Sequence, residues 1–237
     1  MTASRSRHPH PAPTVDSVLD ELRAQGHPVN AAGMARFGIR TDKALGVSVP
    51  AVRALAKHIG RHHALALELW ESEVHEARLL TAFIGSAAEL SEDEMERLAG
   101  QVDSWDICDQ LCGELFAKHP LAYAKAAAWS KREEEFVKRA AFALMARLAV
   151  RDKKAEDAKF LAFLPLIEQE ADDDRNMVKK AVSWALRQIG KRNRMLHEHA
   201  MTCGERIAAH GSRAARWIAS DALRELRKPE VIARLKP

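Results

Sequence analysis

Apolar residues recur at helical spacing along most of this chain. After Thr14, whose hydroxyl suits a helix cap, Val15, Val18, Leu19 and Leu22 fall at i, i+3, i+4 and i+7 before Gly26 stops the run. The pattern predicts a helix over 15–25, a short helix near 31–37, and a third over about 50–59, capped by Ser48 with Pro50 in its first turn. Further helices are predicted at about 63–72, 74–87, 91–101, 104–117, 120–130, 134–149, 156–171, 175–190, 194–209, 212–226 and 229–235. Several boundaries carry their own chemistry. Ser91 and Glu94 have capping-box spacing, and His119-Pro120 is a break because the residue before proline is pushed out of the helical region. The acidic run Asp172-Asp173-Asp174 falls at a helix start, where negative charge is favoured.

Consecutive helices with such tight connections raise the question of internal repeats. The segments 77–83, 138–144, 179–185 and 212–218 share an order, a basic residue followed by small and then large apolar residues, with the first the loosest copy. Aligning Arg139 with Lys180 gives a spacing of 41, inside the HEAT or armadillo range of about 40–47 residues. The fold expected is therefore all-α: an α-solenoid of antiparallel helix pairs with degenerate HEAT-like repeats, forming one domain over 14–237. One helix of each pair would line a concave face, and basic residues at matching positions would stack there into a stripe. A compact, non-repetitive bundle is the alternative.

Composition supports helices over sheet: Ala, Leu, Arg, Glu and Lys are abundant, aromatic residues are few, and there is one Tyr. The formal charge is +4, unevenly spread. Between Glu68 and Ala117 there are 2 Lys/Arg against 13 Asp/Glu; from Lys118 to Lys154 the ratio is 10 to 4, and from Asp174 to Pro237 it is 15 to 6. Basic later helices fit a polyanion binder, although the same charges also suit solvated helix faces. Three cysteines, an odd number without CxxC spacing, argue against a disulfide framework and for a reducing, cytoplasmic setting. Residues 1–13 hold three prolines and no apolar run, and read as a disordered tail; nothing in the sequence fixes an oligomeric state, and a monomer is the default expectation.

The turn most suited to chemistry is Asp103-Ser104-Trp105-Asp106-Ile107-Cys108-Asp109. Trp105 and Asp109 share a helix face at i, i+4, and a carboxylate inside an apolar helical pattern needs compensation. Asp106 points elsewhere and suits the helix dipole. Taken singly, Trp105 and Trp184 also fit a core role, but Lys179, Lys180, Arg187 and Lys191 make a wholly buried helix around Trp184 improbable. Cys108 and Cys112 are also i, i+4, yet no partner stands at zinc spacing, so no metal is expected. His197 and His199 are two apart and share no helix face, and no phosphate-binding glycine loop or nucleophile motif is present.

Three motifs in order, Ser104-Trp105-Asp106-x-x-Asp109, Lys138-Arg139-Ala140-Ala141 and Lys179-Lys180-Ala181-x-x-Trp184-x-Leu186-Arg187, resemble the DNA alkylation repair enzymes of the AlkD type, HEAT-like-repeat DNA glycosylases. The likeness runs from about residue 15 to 227 and is strongest between Asp103 and Arg192. It implies a curved solenoid that binds double-stranded DNA on its concave face and, without a cofactor, excises N3- or N7-alkylated purines while they remain in the helix. It also implies that Trp105, Asp109 and Trp184 are catalytic and sit at the lesion nucleotide, with Arg139 nearby on the DNA backbone. Lys138, Lys179, Lys180, Arg187, Lys191 and Arg213 are expected as further DNA contacts. In the N-terminal third only Gly33-Met34-Ala35-Arg36-Phe37-Gly38-Ile39 resembles the family, without its usual aromatic residues, which bears on substrate range.

The residue types suit that chemistry. A cationic alkylpurine is already a good leaving group, so the remaining task is to stabilise an oxocarbenium-like sugar, which glycosidases do with a carboxylate. Asp109 would supply that charge and orient water, and two indole faces would favour the cationic nucleotide by about 0.5–2 kcal/mol per contact. A non-catalytic HEAT-like module for bent, branched or damaged DNA is the second possibility, and a protein-binding adaptor the third. The basic later helices weigh against the adaptor. A carboxylate set among phosphate-binding residues weighs against a pure backbone binder.

Overall fold

The computed structural model describes residues 12–236, and all but Ala12 and Pro13 of the segment expected as a disordered tail lie outside them. The described residues form fifteen α-helices and contain no strand. The first six are α1 (Val15–Ala24), α2 (Pro28–Met34), α3 (Val49–Ile59), α4 (His63–Glu71), α5 (His75–Ile84) and α6 (Glu92–Gly100). They are followed by α7 (Trp105–Gln110), α8 (Ala122–Trp129), α9 (Glu135–Arg151), α10 (Asp157–Leu161) and α11 (Leu164–Gln169). Last come α12 (Asn176–Gly190), α13 (Arg194–Ala209), α14 (Arg213–Leu226) and α15 (Pro229–Ile232).

The architecture is the α-solenoid expected. An inner row α5, α7, α9, α12, α14 packs neighbour to neighbour, and α4, α8 and α13 pack behind α5, α9 and α14. The four repeated sequence segments fall on α5, α9, α12 and α14, so the shared pattern marks the inner row. Its spine is α9, buried from Val137 to Ala149 except at Arg147, because its sequence is apolar around nearly its whole circumference. Stability comes from that continuous core, into which Trp70, Trp129, Phe116, Phe142 and Phe160 are fully buried.

Caps follow the sequence. Thr14 and Ser91 form capping boxes, Ser48 accepts from Ala51 N–H, and Pro50 stands in the first turn of α3. Two predicted helices are broken. The helix expected over 156–171 divides into α10 and α11, since Pro165 has no N–H to donate one turn back. The one expected over 104–117 is α-helical only to Gln110, then passes through a wide π turn at Leu111–Leu115 and a 3-10 turn at Phe116–Lys118. Such π turns concentrate at functional sites.

The N-terminal third is fastened by one buried carboxylate. Glu76, fully buried on α5, accepts from the backbone N–H groups of Leu45, Gly46 and Val47 at 2.7–3.2 Å. Gly46 has φ +79, and a Cβ there would overlap the His27 carbonyl oxygen. The loop is held against α5 in a shape only glycine adopts easily, and it carries the segment 35–38 to the inner row.

Candidate functional site

The second turn of α7 presents Asp109 to the first turns of α9. Arg139 meets it side-on: Nε and Nη2 donate to Oδ1 at 3.1 and 2.9 Å, and Nη2 donates to Oδ2 at 2.9 Å. The pair is almost wholly withdrawn from solvent, Asp109 being 8% and Arg139 6% exposed. Burial pushes the Asp109 carboxyl above its ordinary range, against the opposing pull of Arg139 and then Arg147. Burial alone would weaken the Arg139 cation; the Asp109 charge outweighs it and holds the guanidinium above its usual value. An ionised carboxylate has about four acceptor positions. Arg139 fills three, which leaves one on Oδ2.

Around this pair opens a cleft of about 630 Å³, lined by Arg36, Phe37, Gly38, Trp105, Asp109, Arg139, Asn176, Met177, Lys180, Trp184 and Arg187. Trp105 and Trp184, both half-buried, come from α7 and α12. The third Arg139 nitrogen, Nη1, donates to the Met177 carbonyl at 2.7 Å and so joins α9 to α12 at the cleft. On the other side, the Trp105 indole N–H donates to the Phe37 carbonyl at 3.0 Å, pinning the turn at Ala35–Phe37. Gly38 leaves that turn at φ +74, with the Met177 methyl 3.0 Å from where a Cβ would stand.

Six of the residues singled out in the sequence thus come together: Trp105, Asp109, Arg139, Lys180, Trp184 and Arg187. Four do not line the cleft. Lys138, expected on DNA, is buried and ion-paired with Glu170 at 2.7 Å and Asp173 at 3.5 Å, carboxylates of the connection between α11 and α12. Lys179 pairs with Asp174 at 3.4 Å, its Nζ 5.9 Å from the centre of the Trp217 ring. Lys191 pairs with Glu225 at 2.6 Å on the rim of a separate hollow with Lys153, Arg192 and Lys236. Arg213 is exposed at the start of α14. The basic stripe is therefore interrupted: Arg78 is also buried, against Glu73 and Asp103, and Arg139 is turned to Asp109.

Sequence reasoning missed Arg36 and Phe37 as parts of the site. Phe37 is 57% exposed beside the Arg36 guanidinium at 4.8 Å, so the N-terminal run does supply an aromatic residue to the cleft. The signal was present in the run 33–39, but nothing local showed that it folds back onto α7 and α12. Arg147 was missed as well: its Nη2 donates to the Asp109 carbonyl at 3.3 Å, and its guanidinium lies 5.1 Å from the centre of the Trp184 ring.

Asp106 is structural, as its place in the first turn suggests. The His75 Nε2–H donates to its Oδ2 at 2.8 Å, both residues being buried. Burial alone would lower the His75 value, but the Asp106 hydrogen bond and charge outweigh it and raise it. Cys108 and Cys112 are buried thiols directed at the Phe136 and Ala140 carbonyls. Among the described residues no cluster of His, Cys, Asp or Glu has the grouping of a metal site, and no helix is long and apolar enough to cross a membrane.

Comparison with known proteins bears on this geometry. The sequence model of a family described as DNA alkylation repair enzyme matches residues 18–226. A solved structure superposes with a TM-score of 0.74 over 90% of this chain and 95% of its own, at 19% identity; it is described as belonging to a new family of proteins related to the HEAT-like repeat DNA glycosylases, with affinity for branched DNA structures. A search of curated proteins finds no match. With the family match running from α1 to the end of α14, over the whole solenoid that builds the cleft, the chain belongs to the DNA alkylation repair enzyme family.

Proposed function

We propose that this protein is a DNA glycosylase that hydrolyses the N-glycosidic bond of purines carrying a cationic N3 or N7 alkyl group in double-stranded DNA, acting as a monomer without a cofactor. The observation that carries the proposal is Asp109, a desolvated carboxylate at a cleft shared with Trp105 and Trp184. Charge developing on the sugar as the bond breaks meets a fixed carboxylate in a partly dry site, where electrostatic stabilisation is strongest. The acceptor position left on Oδ2 suits a water aimed at the anomeric carbon. The indoles of Trp105 and Trp184 supply shape and cation–π attraction, and Lys180, Arg187 and Arg36 supply phosphate contacts at the rim.

The test is release of free base from duplex DNA containing 7-methylguanine. Wild type releases it, and Asp109→Asn abolishes release while duplex binding is kept or tightened. The structural relative described as having affinity for branched DNA supports a second reading, a non-catalytic module. Wild type that binds the lesion duplex and releases no base would establish that alternative in place of the first.

A further inference from the structure

Arg139 and Arg147 stand two turns apart on α9, and each links Asp109 to α12. Arg139 joins the carboxylate to the Met177 carbonyl, and Arg147 joins the Asp109 backbone carbonyl to the ring of Trp184. Met177 and Trp184 are themselves two turns apart on α12, so the two arginines form parallel struts between the helices that carry the carboxylate and the second indole. We propose that Arg147 is a positioning residue, one that fixes the Asp109 turn relative to Trp184 and so sets the separation of carboxylate and indole across the cleft.

Three further observations support this assignment. The Arg147 guanidinium crosses α7's extension at Gly113, where a Cβ would stand 2.9 Å from Nε and 3.1 Å from Cζ, so the residue with no side chain occupies the one place where the strut passes. Gly113 lies inside the π turn, so the departure from α-helical geometry and the strut occur at the same point. The Arg147 Nε is buried without a hydrogen-bond partner, which is costly for a cationic donor. The Arg147 charge also stands, after that of Arg139, among those that oppose the rise that burial imposes on the Asp109 carboxyl. Facing Asp109 are Arg139 and Arg147 from α9, Asp106 and Cys112 from its own helix and the turn beyond, and Arg36, Lys180 and Arg187 around the cleft.

The assignment rests on the glycosylase proposal, and the experiment separates the two. Single-turnover release of 7-methylguanine is measured against pH for wild type, Arg147→Met, Arg147→Lys and Gly113→Ala, alongside duplex affinity, melting, and titration of the Asp109 carboxyl carbon by NMR without DNA. Arg147→Met is expected to slow release by about 10- to 100-fold with duplex affinity within about threefold. The acid limb and the Asp109 titration should both move to higher pH, since a neighbouring cation is lost. Arg147→Lys should restore the titration and only part of the rate, which distinguishes charge from positioning. Gly113→Ala, which displaces the guanidinium from the opposite side, should slow release in the same way. Release within twofold of wild type in both Arg147→Met and Gly113→Ala, with an unmoved Asp109 titration, overturns the assignment. If Arg147→Met does not fold, Arg147→Lys and Gly113→Ala decide it. If wild type releases no base, the glycosylase proposal fails, and the Asp109 titration still decides whether Arg147 acts on that carboxyl.

Discussion

Asp109 and Arg139 are one unit energetically. Removing either partner of a buried ion pair leaves the other uncompensated, at a cost of about 3–5 kcal/mol. Asp109→Asn is therefore expected to lower the melting temperature by about 10 °C while freeing the Arg139 cation for phosphate, so that activity disappears as binding is kept or tightened. Calorimetry and a duplex-binding titration on the same variant check both halves. The pair formed by His75 and Asp106 makes a separate pH-dependent contribution. Since the folded value of His75 is raised above 6.5, its stabilisation is complete below that pH and is lost as pH rises through the folded value. The melting-temperature gap between wild type and His75→Gln should be widest below pH 6.5 and shrink in alkali. A gap that stays constant with pH would remove charge pairing as its source.

Among the elements, the cleft depends on the N-terminal segment being held down. Glu76→Ala leaves three backbone N–H groups of 45–47 without their acceptor, and each buried unsatisfied donor costs about 1–3 kcal/mol. The loop is expected to exchange amide hydrogens faster than α5 beneath it, and base release should fall with it because Phe37 and Arg36 leave the cleft. Trp105→Phe tests the connection from the other side. It keeps an aromatic face but removes the N–H that holds the Phe37 carbonyl, and a several-fold loss of release with preserved fold is expected. The same elements show how sequence and structure part. Pro165 is a sequence signal for the break between α10 and α11 that the helix expected over 156–171 passed over, whereas the π turn at Leu111–Leu115, where Arg147 passes over Gly113, has no sequence signal of its own.

For the whole molecule, charge is less available than composition suggests. The seven basic residues expected on DNA would give a salt slope near −6, at about −0.9 per phosphate contact. Lys138 and Arg139 are buried in ion pairs, and Lys179, Lys191 and Arg187 each have an acidic partner, so the inner surface presents fewer free cations. With Lys180 and Arg213 left from that set, Arg36 added from the cleft and Arg187 exchanging Glu225 for phosphate on binding, a plot of log affinity against log salt should have a slope of about −3 to −4 for a duplex, checked by fluorescence anisotropy from low to physiological salt. A slope near zero would remove the inner row as a polyanion surface.

The sequence alone determined the helices, the order of the repeats and the turn that carries Trp105 and Asp109. Helical periodicity, caps and proline breaks are local properties, and the inner row could be recognised from a repeated arrangement of basic, small and large residues. Only the tertiary structure decided which cations face the cleft, because Lys138, Arg139 and Lys180 stand in similar basic motifs and differ in what they meet: Glu170 and Asp173 between α11 and α12 for Lys138, Asp109 on α7 for Arg139, and the open cleft for Lys180. It also brought Phe37, Arg36 and Arg147 to the site. Their partners lie 38 to 68 residues away in the chain, at Asp109 for Arg147 and at Trp105 for Phe37, and contacts across that separation are set by how the helices pack.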